Sequence, residues 1–109
     1  MKKKRRNQNA DVLHAVPDRT DERVGSVAVS MAGHDAGFLL VVVAGIDRDY
    51  VLVADGKARK LIAPKKKKMR HLSIITKLSE RETEALRENR ANDSLLRRAL
   101  SALDLEKLT

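Results

Sequence analysis

"GSVAVSMAGHDAGFLLVVVAGI", residues 25–46, decides the fold. In its first part Val27, Val29 and Met31 alternate with Ser26, Ala28 and Ser30, the period-two pattern of a half-buried strand. Gly33 and Gly37 follow with His34, Asp35 and Ala36 between them; two glycines that close supply the positive φ angles of a tight reversal. Residues 38–46, "FLLVVVAGI", then read as a long strand buried along much of both faces, with Gly45 permitting a bulge or bend. The apolar run over 36–46 has eleven residues, well short of the ~20 that a membrane-spanning helix needs.

Downstream, Asp47-Arg48-Asp49 reads as a turn into a third strand, "YVLVA" (50–54). Asp55-Gly56 is a hairpin signal, so "KARKLIA" (57–63) is expected to be the fourth strand, ended by Pro64. Lys65, Lys66, Lys67 and Lys68 then form a basic hinge before a fifth strand over 70–78, with Leu72, Ile74 and Thr76 on one face. Five short strands joined by tight turns close best as a small antiparallel barrel, which removes exposed sheet edges. At Ser79 the period changes: "SERE" is a capping box that opens a mostly charged helix over about 80–90. Asn92 or Asp93 caps a second helix, in which Leu95, Leu96, Ala99, Leu100 and Leu103 form one apolar stripe. That stripe packs on the barrel or docks on another macromolecule.

The domain reading is therefore a disordered basic tail (1–22), a barrel (23–78) and a helical extension (79–109). The tail is polar, with a basic start that either touches a polyanion or only solubilises. It has no apolar segment behind its basic cluster, so no signal peptide is expected; with no cysteine anywhere, a cytoplasmic protein is. The formal net charge of +8 is unevenly spread. Residues 23–78 carry eleven basic against four acidic groups, nearly the whole excess, as in a polyanion-binding domain with less charged appendages.

The stretch from Gly25 to Asp55 resembles a KOW motif, on Gly25, Val27, Val29, Gly33, Asp35, Ala36, Gly37, Leu39, Val41 and the Ile46-Asp47 pair. "AGHDAGFLLVVV" followed by "VLVADG", the lysine run and "NDSLLRRALSAL" resemble small bacterial KOW-domain RNA-binding proteins related to large-subunit ribosomal protein 14e. The resemblance implies an SH3-like barrel whose loop at Gly33, His34, Asp35, Ala36 and Gly37 contacts ribosomal RNA. Where many relatives place a basic residue after the second glycine, this chain has Phe38, which either fills the core or stacks on a base.

No residue pattern points to catalysis, a cofactor or a metal. His14, His34 and His71 lack metal-ligand spacing, and no helix with a Lys-Ser/Thr pair follows "GHDAG". The cations Lys65–Lys68, Arg59, Lys60, Arg70 and His71 are expected to converge on one end or face of the barrel and bind phosphates, where a solvated hinge would explain only the lysines. With so few aromatics, recognition should work through backbone charge and shape, as for structured or duplex RNA rather than single strands; that the RNA is ribosomal is what the resemblance implies. Neutralising roughly four to six phosphates predicts a log–log salt slope of about −3 to −5. The second reading is a protein-interaction adaptor in translation or transcription, using the 92–103 helix or a barrel groove; ribosomal proteins are its partners, and the free chain is expected to be a monomer.

Overall fold

The computed structural model describes residues 16–103. Its elements in chain order are β1 (Ser26–Ser30), β2 (Leu39–Gly45), β3 (Tyr50–Ala54), β4 (Lys65–Lys68), a 3-10 turn (Met69–His71), β5 (Leu72–Lys77), α1 (Glu80–Arg87) and α2 (Asp93–Ser101). The strands form one antiparallel sheet in the order β4-β3-β2-β1-β5. The expected closure is not reached: β4 and β5 are edges with no ladder between them. The 3-10 turn bridges that gap instead, since Met69 N–H donates to Asp49 O at 2.8 Å and Met31 N–H donates to His71 O at 2.8 Å.

Both faces of the sheet are covered, and the alternation along β2 shows how. Leu40 and Val42 join Ala28, Val51, Val53 and Leu72 in an inner cluster capped by Met69. Val41 and Val43 face the other way, where Val27, Ala54, Leu78, Leu86, Leu96 and Ala99 bury them. Register shifts at Val42/Ala44 and at Val27/Ala28 mark bulges, which bend strands and let one sheet wrap a core. The first bulge lies just before Gly45, where a bend was expected. The second accounts for a departure in β5: Ile74 is exposed while Ile75 packs on the helix-side cluster. β1 does not keep the expected alternation: with both faces covered, Ala28 and Ser30 are buried beside Val27, while Val29 is only half-buried and Met31, just past the strand, is 63% exposed.

The helices follow their caps. Ser79 Oγ accepts from Glu82 N–H while Glu82 Oε1 accepts from Ser79 N–H, each at 3.2 Å, so the capping box starts α1 as read. Asn92 Oδ1 accepts from Leu95 N–H at 2.8 Å and caps α2. The α2 stripe has its partner within the chain, since Leu96 and Ala99 are buried against the sheet. No helix among the described residues is long and apolar enough to cross a membrane.

Three further expectations are corrected. Residues 57–63 form no strand; the fourth strand is the lysine run itself. Asp55-Gly56 does not make a two-residue turn, because Asp55 Oδ1 accepts from both Lys57 and Arg59 N–H at 2.8 Å and opens a wider loop. That loop is tethered to α2 by Leu61 N–H donating to Asp93 Oδ1 at 2.8 Å and by Arg97 donating to Gly56 O at 2.6 Å. Gly56 has φ +80, and a Cβ there would run into the Asp93 carbonyl. Gly56→Ala is therefore expected to cost about 2 kcal/mol, read as a shift in denaturant midpoint.

The third correction concerns the tail. Up to residue 15 it lies outside the described residues, but residues 16–22 are placed on the domain. Asp18 bridges Gly45 through two backbone hydrogen bonds of 2.8 Å. Arg23 Nη2 holds Asp21 at 2.7 Å and the Asp47 carbonyl at 2.7 Å, pinning the β2–β3 turn. That hydrogen bond from Arg23 outweighs burial and lowers the Asp21 pKa.

Candidate nucleic-acid interface

Four lysines in a row form a strand because pairing with β3 supplies what their side chains do not signal. Tyr50 opposes Lys68, Val51 opposes Lys67, Leu52 opposes Lys66 and Val53 opposes Lys65. Successive side chains of a strand point to opposite faces, so the run divides into two pairs. Lys65 and Lys67 share the face of Val51 and Val53, the inner core. Lys66 and Lys68 share the face of Tyr50. Lysines also suit an edge strand, where their charge discourages pairing with another chain.

The inner pair is spoken for. Lys67 is 6% exposed, its stem lying over the inner core. Its ammonium donates to Asp35 Oδ1 at 2.8 Å and to Ala32 O at 2.7 Å. Lys65 Nζ lies 3.4 Å from Asp35 Oδ2, and Ser30 Oγ donates to Asp35 Oδ1 at 2.7 Å. Burial alone would raise the Asp35 carboxyl; hydrogen bonds from Lys67 and Ser30, with the charges of Lys67 and Lys65, outweigh it and hold the group well below the usual carboxylate range. Asp35 and Lys67 thus fasten the β1–β2 loop to β4.

That loop carries the residues implicated by the glycine motif. Gly33 and Gly37 both have positive φ, at +86 and +89. Gly37 N–H donates to Ser30 O at 2.7 Å, and nothing lies within 4 Å of where its Cβ would be. Gly33, His34, Ala36 and Gly37 are exposed, leaving backbone open to a ligand, whereas Asp35 turns inward. Phe38 is 53% exposed and belongs to neither core cluster, so it does not fill the core.

The outer pair is different. Lys66 Nζ lies 4.5 Å from the centre of the Tyr50 ring and Lys68 Nζ lies 5.9 Å from it. Such contacts at exposed sites are worth about 0.5–1 kcal/mol, too little to fix a lysine in place. Arg70 is exposed just beyond, and Asp49, Tyr50, Lys68 and Arg70 line a pocket of about 270 Å³. No carboxylate is ion-paired with Lys66, Lys68 or Arg70 among the described residues.

The cations therefore do not form the single cluster expected from the sequence. Arg59 and Lys60 are exposed on the 55–64 loop, at the Lys65 end of β4; Arg70 and His71 lie at the Lys68 end. Tyr50, which the structure places beside Lys66 and Lys68, was not among the expected site residues. Its signal is visible only in register, where the chain's single tyrosine opens a strand opposite Lys68. Among the described residues no group of three or more His, Asp or Glu is arranged to hold a metal ion. No protein-family model matches the sequence, and no curated protein does so.

Proposed function

We propose that the chain is an RNA-binding protein of the KOW type that contacts structured, ribosomal-type RNA through its phosphates, in the cytoplasm and without catalysing a reaction. The observation that carries this is the outer face of β4, where Lys66 and Lys68 lie over Tyr50 and Arg70 lines the same pocket, none of the three ion-paired with a carboxylate among the described residues. The Gly37 backbone on the β1–β2 loop and the cations Arg59 and Lys60 on the 55–64 loop are exposed as well, but away from this face. Lys65 and Lys67 serve the reading indirectly, by positioning the β1–β2 loop. The strand order β4-β3-β2-β1-β5, two bulges and a 3-10 turn between β4 and β5 support the SH3-like barrel as the finer description of this sheet. The adaptor reading has no comparable support, since α2 spends its apolar stripe on the chain's own sheet.

The test is K66Q/K68Q/R70Q titrated with a structured RNA across salt. Removing three phosphate contacts should weaken binding about a hundredfold at low salt and flatten the log–log slope by about 2 to 3. Unchanged affinity and slope would remove the outer face from the interface.

A further inference from the structure

Two aromatic residues are all this chain has, and neither is in a core cluster. Aromatic side chains bury more apolar area than any others, so a small domain that leaves both at its surface forgoes its best core material. At Tyr50 the placement is specific. The ring lies under Lys66 and Lys68, and Tyr50 lines with Asp49, Lys68 and Arg70 the 270 Å³ pocket, a space suited to one base and its sugar rather than to a duplex. Asp49 is the acidic residue on that pocket, and a carboxylate there repels phosphate but accepts from a ribose hydroxyl or a base amino group.

Resting on the RNA-binding reading, we infer that this pocket takes one unpaired nucleotide of an otherwise structured RNA. Its base stacks on the Tyr50 ring, its sugar or base edge meets Asp49, and its flanking phosphates meet Lys68 and Arg70. Lys66, held over the ring only by a weak cation–π contact, gives way to the base and reaches a phosphate on its flexible stem. A bulge or loop within a helix would then be preferred to the helix itself, which charge and shape alone do not predict. Every base has a π-face, so the preference is for unpairing and not for one base over another.

The chain has one tyrosine and no tryptophan, so tyrosine emission from this 109-residue chain reports Tyr50 alone. The probes are a hairpin RNA with a single bulged adenosine and the same hairpin fully paired. The bulged hairpin should bind about tenfold more tightly and quench the emission, while the paired one leaves it nearly unchanged. Tyr50→Phe should keep the preference; Tyr50→Leu should abolish it without changing affinity for the paired hairpin, which also shows that the variant is folded. Equal affinity for both hairpins, lost in K66Q/K68Q/R70Q, overturns the stacking site and leaves the phosphate interface standing. Failure to bind either hairpin removes the RNA-binding reading and this site with it.

Discussion

Asp35→Ala is expected to destabilise the protein by about 3 kcal/mol, because it leaves the largely buried Lys67 ammonium without its carboxylate. Lys67 is 6% exposed and would keep only the Ala32 carbonyl; Asp35, at 16% side-chain exposure, is the group that makes its burial tolerable. For a domain of this size the melting temperature should fall by roughly 10–20 °C. Lys67→Met should cost less, since Asp35 retains Lys65 and Ser30 and the new side chain still covers the inner core. The double variant D35A/K67M should then be more stable than D35A alone, as no buried charge is left without a partner. A D35A melt coinciding with that of the unmodified protein would show that the ammonium escapes to solvent.

The same network has a pH signature. Asp35 is depressed in the folded chain and ordinary, near 3.9, when unfolded. Between those values the unfolded state binds more protons, so stability rises with pH there and is complete above the unfolded value. On acidification it is lost progressively below about pH 4, as the unfolded chain takes up a proton that the folded carboxyl does not, and the loss is complete only once the folded carboxyl is protonated too. D35N/K67M should flatten that acid limb relative to the unmodified chain.

The residues that were legible in the sequence are those whose pattern carries apolar contrast. Val27, the run Leu40–Ala44 and Val51–Val53 alternate or repeat in ways only strands bury, and Ser79-Glu82 is a local hydrogen-bonding device that works wherever it occurs. β4 was illegible for the opposite reason. Four identical charged side chains have no period, so nothing local distinguishes a hinge from an edge strand. What makes the segment a strand is non-local: the open edge of β3, and one aspartate thirty residues upstream that absorbs the inward-facing charge. Asp55-Gly56 failed for a different, local reason: the Asp55 carboxylate accepts from the Lys57 and Arg59 N–H groups and widens the loop, which Asp93 on α2 then tethers. The site followed the strand. Treated as a hinge, the lysines appear to act together; treated as a pleated strand, they divide into a pair that builds the loop and a pair that faces outward with Tyr50.

Leu96→Ala should cost about 3–4 kcal/mol, the other large effect expected of a single substitution. Leu96 is fully buried, in a cluster with Val41, Val43 and Leu86, so its removal leaves a cavity between α2 and the sheet that neighbouring strands cannot collapse to fill. Leu100→Ala, half-buried on the same helix, should cost about 1 kcal/mol. A large difference between the two means that α2 completes the core and that the helical extension does not separate from the sheet as a unit of its own. The loss also reaches the 55–64 loop, since Gly56 packs against Asp93 and Leu96 and Arg97 holds its carbonyl. Arg59 and Lys60 ride on that loop, whereas Lys66, Lys68 and Arg70 depend on the β3–β4 pairing. Measured well below its melting point, L96A should therefore keep nearly all of its affinity for structured RNA if the Tyr50 face carries binding. A large loss of affinity in folded L96A would move the interface to the loop and away from β4.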